Sequence, residues 1–269
     1  MSEEIYDTIE HARTADEVVS QIELLILEGI LRVSDKLPGE RELARRLDVS
    51  RPILREALKA LEARGLLASR HGGGTFVADV IGKVFTPQIV ELVAKHRKAT
   101  TDYLEYRREI EAVAAEFAAR RATADDRALL TRIITAMEAA HGKEDFEEEA
   151  GLDVEFHNVV GECAHNIILL HTLRSCYRLL ADGVFYNRAM IYALPGARDV
   201  LLAQHKAIYD GIMAGDGPAA RRAAQAHMDY VARAIEDAER SSGWHRVSRL
   251  RLHQRGAAGE GSEKSPQGA

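Results

Sequence analysis

Two groups of side chains in this 269-residue sequence combine types and spacings that can do chemistry, and they lie in different halves of the chain. In the second half, Asp153 and His157 are i, i+4 neighbours, so on a helix they share one face at the edge of the apolar series Leu152, Phe156, Val159, Cys163. His205 is central to the series Leu201, Leu202, Ile208, Tyr209, Ile212, and His227 lies within Ala224, Met228, Val231, Ile235. A helical core that receives one carboxylate and three imidazoles from three helices can coordinate a divalent metal ion; otherwise it buries several unsatisfied polar groups. Mixed nitrogen and oxygen ligation suits zinc first, and also nickel, manganese or iron, and leaves positions open for water or a ligand. The ordinary alternative is a set of hydrogen-bonded core histidines. Arg107 occupies a seam position in Tyr103, Ile110, Ala114, Phe117, where a lone cation is costly unless paired. Glu111, at i+4, is the structural partner; a ligand carboxylate gripped by the guanidinium is the functional one.

In the first half, Arg51 and Arg55 are one helical turn apart, with Lys59 a turn further, on a face beside the apolar stripe Leu54, Ala57, Leu58, Leu61. Such a face can enter a DNA major groove, where an arginine fork bonds guanine O6 and N7. Ser50 is an N-cap candidate at the start of that helix, and Pro52 is tolerated in its first turn. Arg41 is placed to meet base or backbone. His71 and Gly72, at the tip of a glycine triplet, can approach a minor groove or a phosphate. The bland alternative is a solvated basic face beside an ordinary hairpin.

The elements that must position these groups follow from periodicity. Apolar residues from Ala15 to Gly29 mark one helix, Leu43, Ala44 and Leu47 a second, and the Leu54 stripe a third that Gly65 stops. GLLASRHGGGTFVA then reads as a β-hairpin. Helix, helix, turn, helix, hairpin is the order of a winged helix-turn-helix over residues 14–78, after an extension over 1–13. A linker over 79–87 ends at Pro87, and only helical periodicity follows over 88–241. Helices are expected near 88–98, 101–121, 124–140, 146–163, 166–191, 198–214 and 217–239. Their short connections imply an antiparallel bundle. The fold class is thus mainly α: an N-terminal winged helix-turn-helix and a C-terminal all-α bundle of about six to seven helices. Residues 245–269 carry too little apolar content to fold and are expected to be disordered.

The net charge of −6 counts against nucleic-acid binding only until it is resolved along the chain. Residues 36–78 hold nine Lys or Arg against five acids, a local +4 in a remainder of −10. The acidic start without an apolar h-region, and the lack of any apolar run near 18 residues, imply a cytoplasmic protein with no membrane partner. Cys163 and Cys176 form no C-x-x-C pair and are given no role.

The string LPGERELARRLDVSRPILREALKALEARGLLASRHGGGTFV resembles the DNA-binding domain of the GntR family, particularly its FadR-like branch, which includes pyruvate- and lactate-responsive regulators. By that resemblance Arg41, Arg51, Arg55, His71 and Gly72 match operator-contacting positions, and a dimer on a short palindrome is implied. DVEFHNVV, QHKAIYDGIMAGD and AQAHM resemble the FCD ligand-binding domain, which puts Asp153, His157, His205 and His227 on metal-ligand positions. Arg107-Arg108-Glu109-Ile110-Glu111 matches the FCD pattern R-x-x-[IL]-E. Gln204 departs from the Glu that many members carry before the histidine. The resemblance implies a ligand-responsive regulator. A carboxylate held by Arg107 while a neighbouring hydroxyl or keto oxygen meets the metal would select small 2-hydroxy or 2-keto acids such as lactate, pyruvate or glycolate, and the expected response is repression relieved by the acid. Two alternatives are a pure metal sensor and a metalloenzyme with a DNA-binding appendage. Against the enzyme, no general base beside the ligands and no nucleotide or nucleophile fingerprint is evident.

Overall fold

The structure is a computed structural model that describes residues 11–70, 72–79, 91, 95–143, 146–181 and 188–260. The first domain contains α1 (His11–Leu27), α2 (Glu40–Arg46), α3 (Arg51–Ala63), β1 (Leu67–Arg70) and β2 (Gly74–Val77). The second contains α4 (Arg97–Arg121), α5 (Ala124–Lys143), α6 (Phe146–Cys163), α7 (Ile167–Ala181), α8 (Arg188–Tyr192), α9 (Ala197–Met213) and α10 (Gly217–Glu260). Each domain has its own apolar core: Ile22, Leu54, Leu61 and Leu67 lie in the first, and Phe156, Leu173, Ile212 and Met228 in the second. The chain is therefore a winged helix-turn-helix followed by a helical bundle.

In the first domain the apolar stripe of α3 packs on α1, which leaves the opposite face of α3 in solvent. The turn between α2 and α3 closes because Asp48 takes a left-handed φ of 51°, a conformation that Asp tolerates better than most residues. β1 and β2 pair antiparallel from Leu67↔Val77 to Arg70↔Gly74. The segment SDKLPG is more than the break that its composition suggests. Leu37 N–H donates to Thr75 O and Val77 N–H to Asp35 O, both at 2.9 Å, so it lines the outer edge of the wing.

In the second domain α4 and α10 run antiparallel, pinned by Arg108 to Asp229 at 2.7 Å and by Arg221 to Glu116 at 2.9 Å. α9 turns into α10 at Gly215, and Asp216 caps α10 by accepting from Ala219 N–H at 2.9 Å. The two helices approach closely because Gly211 has no side chain. A Cβ there would lie 2.8 Å from Ala220 Cα.

Several sequence expectations change. α1 begins at His11 rather than near Ala15, and α4 at Arg97 rather than 101. The single helix expected over 166–191 is described as α7 and the short α8, with 182–187 outside the described residues. Most of the helix expected at 88–98, most of the linker at 79–87, and His71 also lie outside them. α10 does not stop near Glu239 but continues to Glu260, so the disorder expected from residue 245 is not found up to that point. Arg, Leu and Ala are strong helix formers, and a continuing helix needs no core to satisfy its backbone. No described helix is long and apolar enough to cross a membrane.

Candidate metal centre and nucleic-acid interface

Asp153 and His157 project from the inner face of α6, His205 from α9 and His227 from α10, and all four are buried. One ligand atom from each lies within 4.8 Å of the others. His205 Nε2 is 3.1 Å from Asp153 Oδ1 and 3.3 Å from His157 Nε2. The three helices meet here because their apolar stripes share one core, so the polar members of those stripes are carried inward together.

The far side of two rings fixes what they present. His157 Nδ1 is 3.1 Å from Glu111 Oε2, on α4. Burial alone would raise the Glu111 carboxyl, but the Arg107 guanidinium, with His157 and His227 behind it, holds it far below the usual carboxylate range. An ionised carboxylate only accepts, so the tautomer it favours for His157 has the proton on Nδ1 and Nε2 toward the cluster. His227 Nδ1 is 3.1 Å from Gln204 Oε1, and that amide oxygen imposes the same tautomer. Burial lowers the imidazole pKa of His205 despite the opposing Asp153. Burial, reinforced by His205 and His157, pushes His227 well below its ordinary value. Three imidazoles and a carboxylate converging on one point form a donor set that fits a divalent cation, with ligand hydrogen bonds of the kind that orient metal-bound histidines.

Arg107 is buried and paired with Glu111, its Nε 2.7 Å from Oε1. The structural partner expected from the i+4 spacing is therefore present. It does more than neutralise the arginine, because Glu111 spends its other oxygen on His157. Arg107 also lies over the Tyr177 ring, 4.9 Å from its centroid, and that ring stacks on His157 at 5.4 Å. A cavity of about 10 Å³ lies beside Glu111, His157, Leu173 and Tyr177. Cys163 and Cys176 stand apart as inert core thiols, pushed by burial up to about 12 and about 11.

The helical face of the first domain carries Arg41, Arg51, Arg55 and Lys59, all exposed. Glu40, at the start of α2, accepts from Arg55 Nε at 2.8 Å and lies 3.8 Å from Arg51 Nη2. The sequence carries no sign of this tether, because a spacing of fifteen residues between partners leaves no periodic trace. Ser50 occupies the N-cap, yet its hydroxyl makes no capping hydrogen bond. It is exposed and free to donate elsewhere. Gly72, at φ 70°, forms the wing tip with open space around its Cα.

The two domains touch through a polar contact with no counterpart in the periodicity. Arg32, after α1, bonds Glu155 at 3.1 Å and Glu162 at 2.9 Å on the outer face of α6. Arg174 of α7 holds Glu162 at 2.6 Å and Gly29 O at 3.3 Å, while His171 bonds Leu27 O at 2.8 Å. Gly29 has φ 74°, and a Cβ would lie 2.5 Å from the Arg174 guanidinium. α6 thus bears ligand-type residues on one face and the grip on the first domain on the other.

A winged helix-turn-helix with a basic recognition face, joined to a helical domain with a buried ligand-type cluster, defines a DNA-binding transcription regulator with a ligand-binding domain. The chain belongs to the gntR family of bacterial regulatory proteins, which it matches over residues 14–77, and residues 102–230 match the FCD domain. It is 38% identical over 243 residues to the "Putative L-lactate dehydrogenase operon regulatory protein" of Escherichia coli (strain K12), covering 88% of this chain and 93% of that one. It is 32% identical over 225 residues to the "Glc operon transcriptional activator" of the same strain, covering 82% and 89%. Among solved structures, Streptococcus agalactiae GntR aligns with a TM-score of 0.47 at 28% identity, covering 83% of this chain and 99% of that chain.

Proposed function

We propose that the chain is a cytoplasmic, homodimeric regulator of a palindromic operator, controlled by a small 2-hydroxy or 2-keto acid at a divalent metal held by Asp153, His157, His205 and His227. Zinc is the cation assigned first, and lactate, pyruvate and glycolate are the leading acids. The observation that carries this reading is the continuous run of buried polar contacts from the four-residue cluster through Glu111 to Arg107. The word lactate in one relative's name supports the same class of acid.

When bound, the cation supplies a Lewis-acid site for a hydroxyl or keto oxygen beside a carboxylate. Arg107 pairs with that carboxylate through its planar fork. Glu111 keeps His157 in the correct tautomer through Oε2 while yielding part of its hold on Arg107. The cavity beside Glu111, His157 and Tyr177 has room for roughly one water, so an acid that reaches Arg107 must part α4, α6 and α7 to enter. α6 and α7 are the helices that grip Arg32, Gly29 and Leu27. Binding therefore favours one arrangement of the first domain over another, which is what a ligand needs in order to shift an equilibrium. On DNA, Arg51 and Arg55 read bases once Glu40 releases them, with Arg41, Ser50, Lys59, His71 and Gly72 placing the domain on the backbone. The chain acts by binding and not as an enzyme, and the acid relieves repression.

The small cavity favours a second reading, in which the metal itself is the signal. A thermal-shift screen of small carboxylic acids on metal-loaded wild type, His205→Ala and Arg107→Lys separates the two. Stabilisation of wild type alone supports the acid pocket. Equal stabilisation of all three rejects it, and operator affinity that tracks metal with no acid present selects the metal sensor.

A further inference from the structure

Residues 240–255 contain five arginines and two histidines and no acid, a local charge of +5 in a chain of −6. In the structure they prolong α10 past the bundle as an exposed helix, with Trp244, Val247, Leu250 and Leu252 in solvent. The stretch lies outside both family-matched segments. Among the described residues Arg246, Arg249 and Arg251 are exposed and have no acidic neighbour on this stretch.

We infer that this arm is an accessory DNA-backbone contact that reads charge and not sequence. The inference rests on the DNA-binding role of the first domain. Three features select duplex phosphate as the occupant. The charge is single-signed, which suits a polyanion. At about 100° per residue, arginine and apolar residues alternate around the arm in the order Arg246, Leu250, Val247, Arg251, Trp244, Leu252, Arg249, whereas a helix lying on a membrane needs one segregated apolar face. The arm also leaves the bundle beside the start of α4, where Thr100 and Thr101 face Glu236 and Glu239 across a groove. The arm is covalently joined to the winged domain through the bundle, so once that domain is on a duplex the basic helix is held at a raised effective concentration relative to neighbouring phosphates.

The test is anisotropy of a random-sequence duplex of about 40 base pairs across a KCl series, for full-length wild type and the triple variant Arg246→Gln, Arg249→Gln, Arg251→Gln, with circular dichroism confirming equal folding. The slope of log affinity against log salt should fall by about 2–3 per protomer in the triple variant, and lysine at the same three positions should restore it. Identical slopes in wild type and triple variant overturn the proposal. So does loss of sedimentation with phosphatidylglycerol vesicles at an unchanged DNA slope, which would make the partner a membrane. A double variant, Arg51→Ala with Arg55→Ala, weakens binding through the first domain while leaving the arm's share of the slope. Absence of any duplex binding by wild type would strike the DNA-binding role itself, and the proposal with it.

Discussion

At the residue scale, Glu111 does the least visible and most consequential work in the second domain. It ties a buried guanidinium to a buried imidazole, so its loss acts on both. Glu111→Gln keeps all four candidate ligands but weakens the acceptor that holds His157 Nδ1–H. Metal affinity by competition with a chelator should fall about 10–100-fold. Unchanged affinity would show that the tautomer of His157 is fixed by something else. Arg107→Ala leaves Glu111 as a buried unpaired charge, a loss of about 3–5 kcal/mol in comparable pairs, so Arg107→Lys is the cleaner probe. It should retain metal and lose most of the acid-induced thermal shift. The pH dependence has a definite sign. Burial lowers the His205 and His227 pKa values, so below the ordinary 6.5 the unfolded chain binds protons that the folded chain refuses. Stability of the metal-free protein should fall as pH drops below that value, measured by denaturant midpoint, and a flat profile from pH 7 to 5 would contradict buried neutral imidazoles. Asp153 and His157 are legible in the sequence through their i, i+4 spacing, and His205 and His227 through their place in apolar stripes. The links from Glu111 to His157 and from Gln204 to His227 are not, because contacts across helices leave no mark on local periodicity.

At the scale of elements, α3 bears the exposed basic face and α6 two members of the buried cluster, with the domain contact between them. Arg51→Ala should lose discrimination between operator and random duplex, by about 1–3 kcal/mol for a bidentate base contact, while Lys59→Ala should lower both affinities and their salt slope. Equal losses for Arg51→Ala on both duplexes would deny base reading at that position. Because α6 bears the cluster on one face and Glu155 and Glu162 on the other, Arg32→Ala should preserve acid binding and shrink the change in DNA affinity that the acid produces. If the response is undiminished, coupling passes elsewhere, and the linker is then the route. The helix-turn-helix was legible because its stripe, turn and wing are local in sequence. The grip of Arg32 joins residues more than a hundred positions apart. The helical continuation beyond Glu239 is not legible for a different reason. Its apolar residues Trp244, Val247, Leu250 and Leu252 are exposed, so the helix runs on without packing in a core and leaves no apolar stripe to read.

At the scale of the whole molecule, two cores with a polar contact between them give each domain its own stability. Saturating metal should stabilise only the second domain, by about 2.7 kcal/mol at a hundred times its dissociation constant, while the first domain's unfolding in calorimetry stays in place. The charge distribution is finer than the domain division: a basic helix-turn-helix and wing over residues 36–78, an acidic bundle and a basic arm. The binding of DNA is tied to the bundle only if acid, metal and operator affect one another. The most direct measurement is operator affinity of the metal-loaded dimer, on a duplex that the protein itself selects, titrated with L-lactate, pyruvate and glycolate beside Arg107→Lys and His205→Ala. One acid should shift wild-type affinity by roughly 5–150-fold and neither variant's. An acid that shifts all three alike, or no acid shifting any of them, would contradict control of DNA binding from the Arg107 and histidine site.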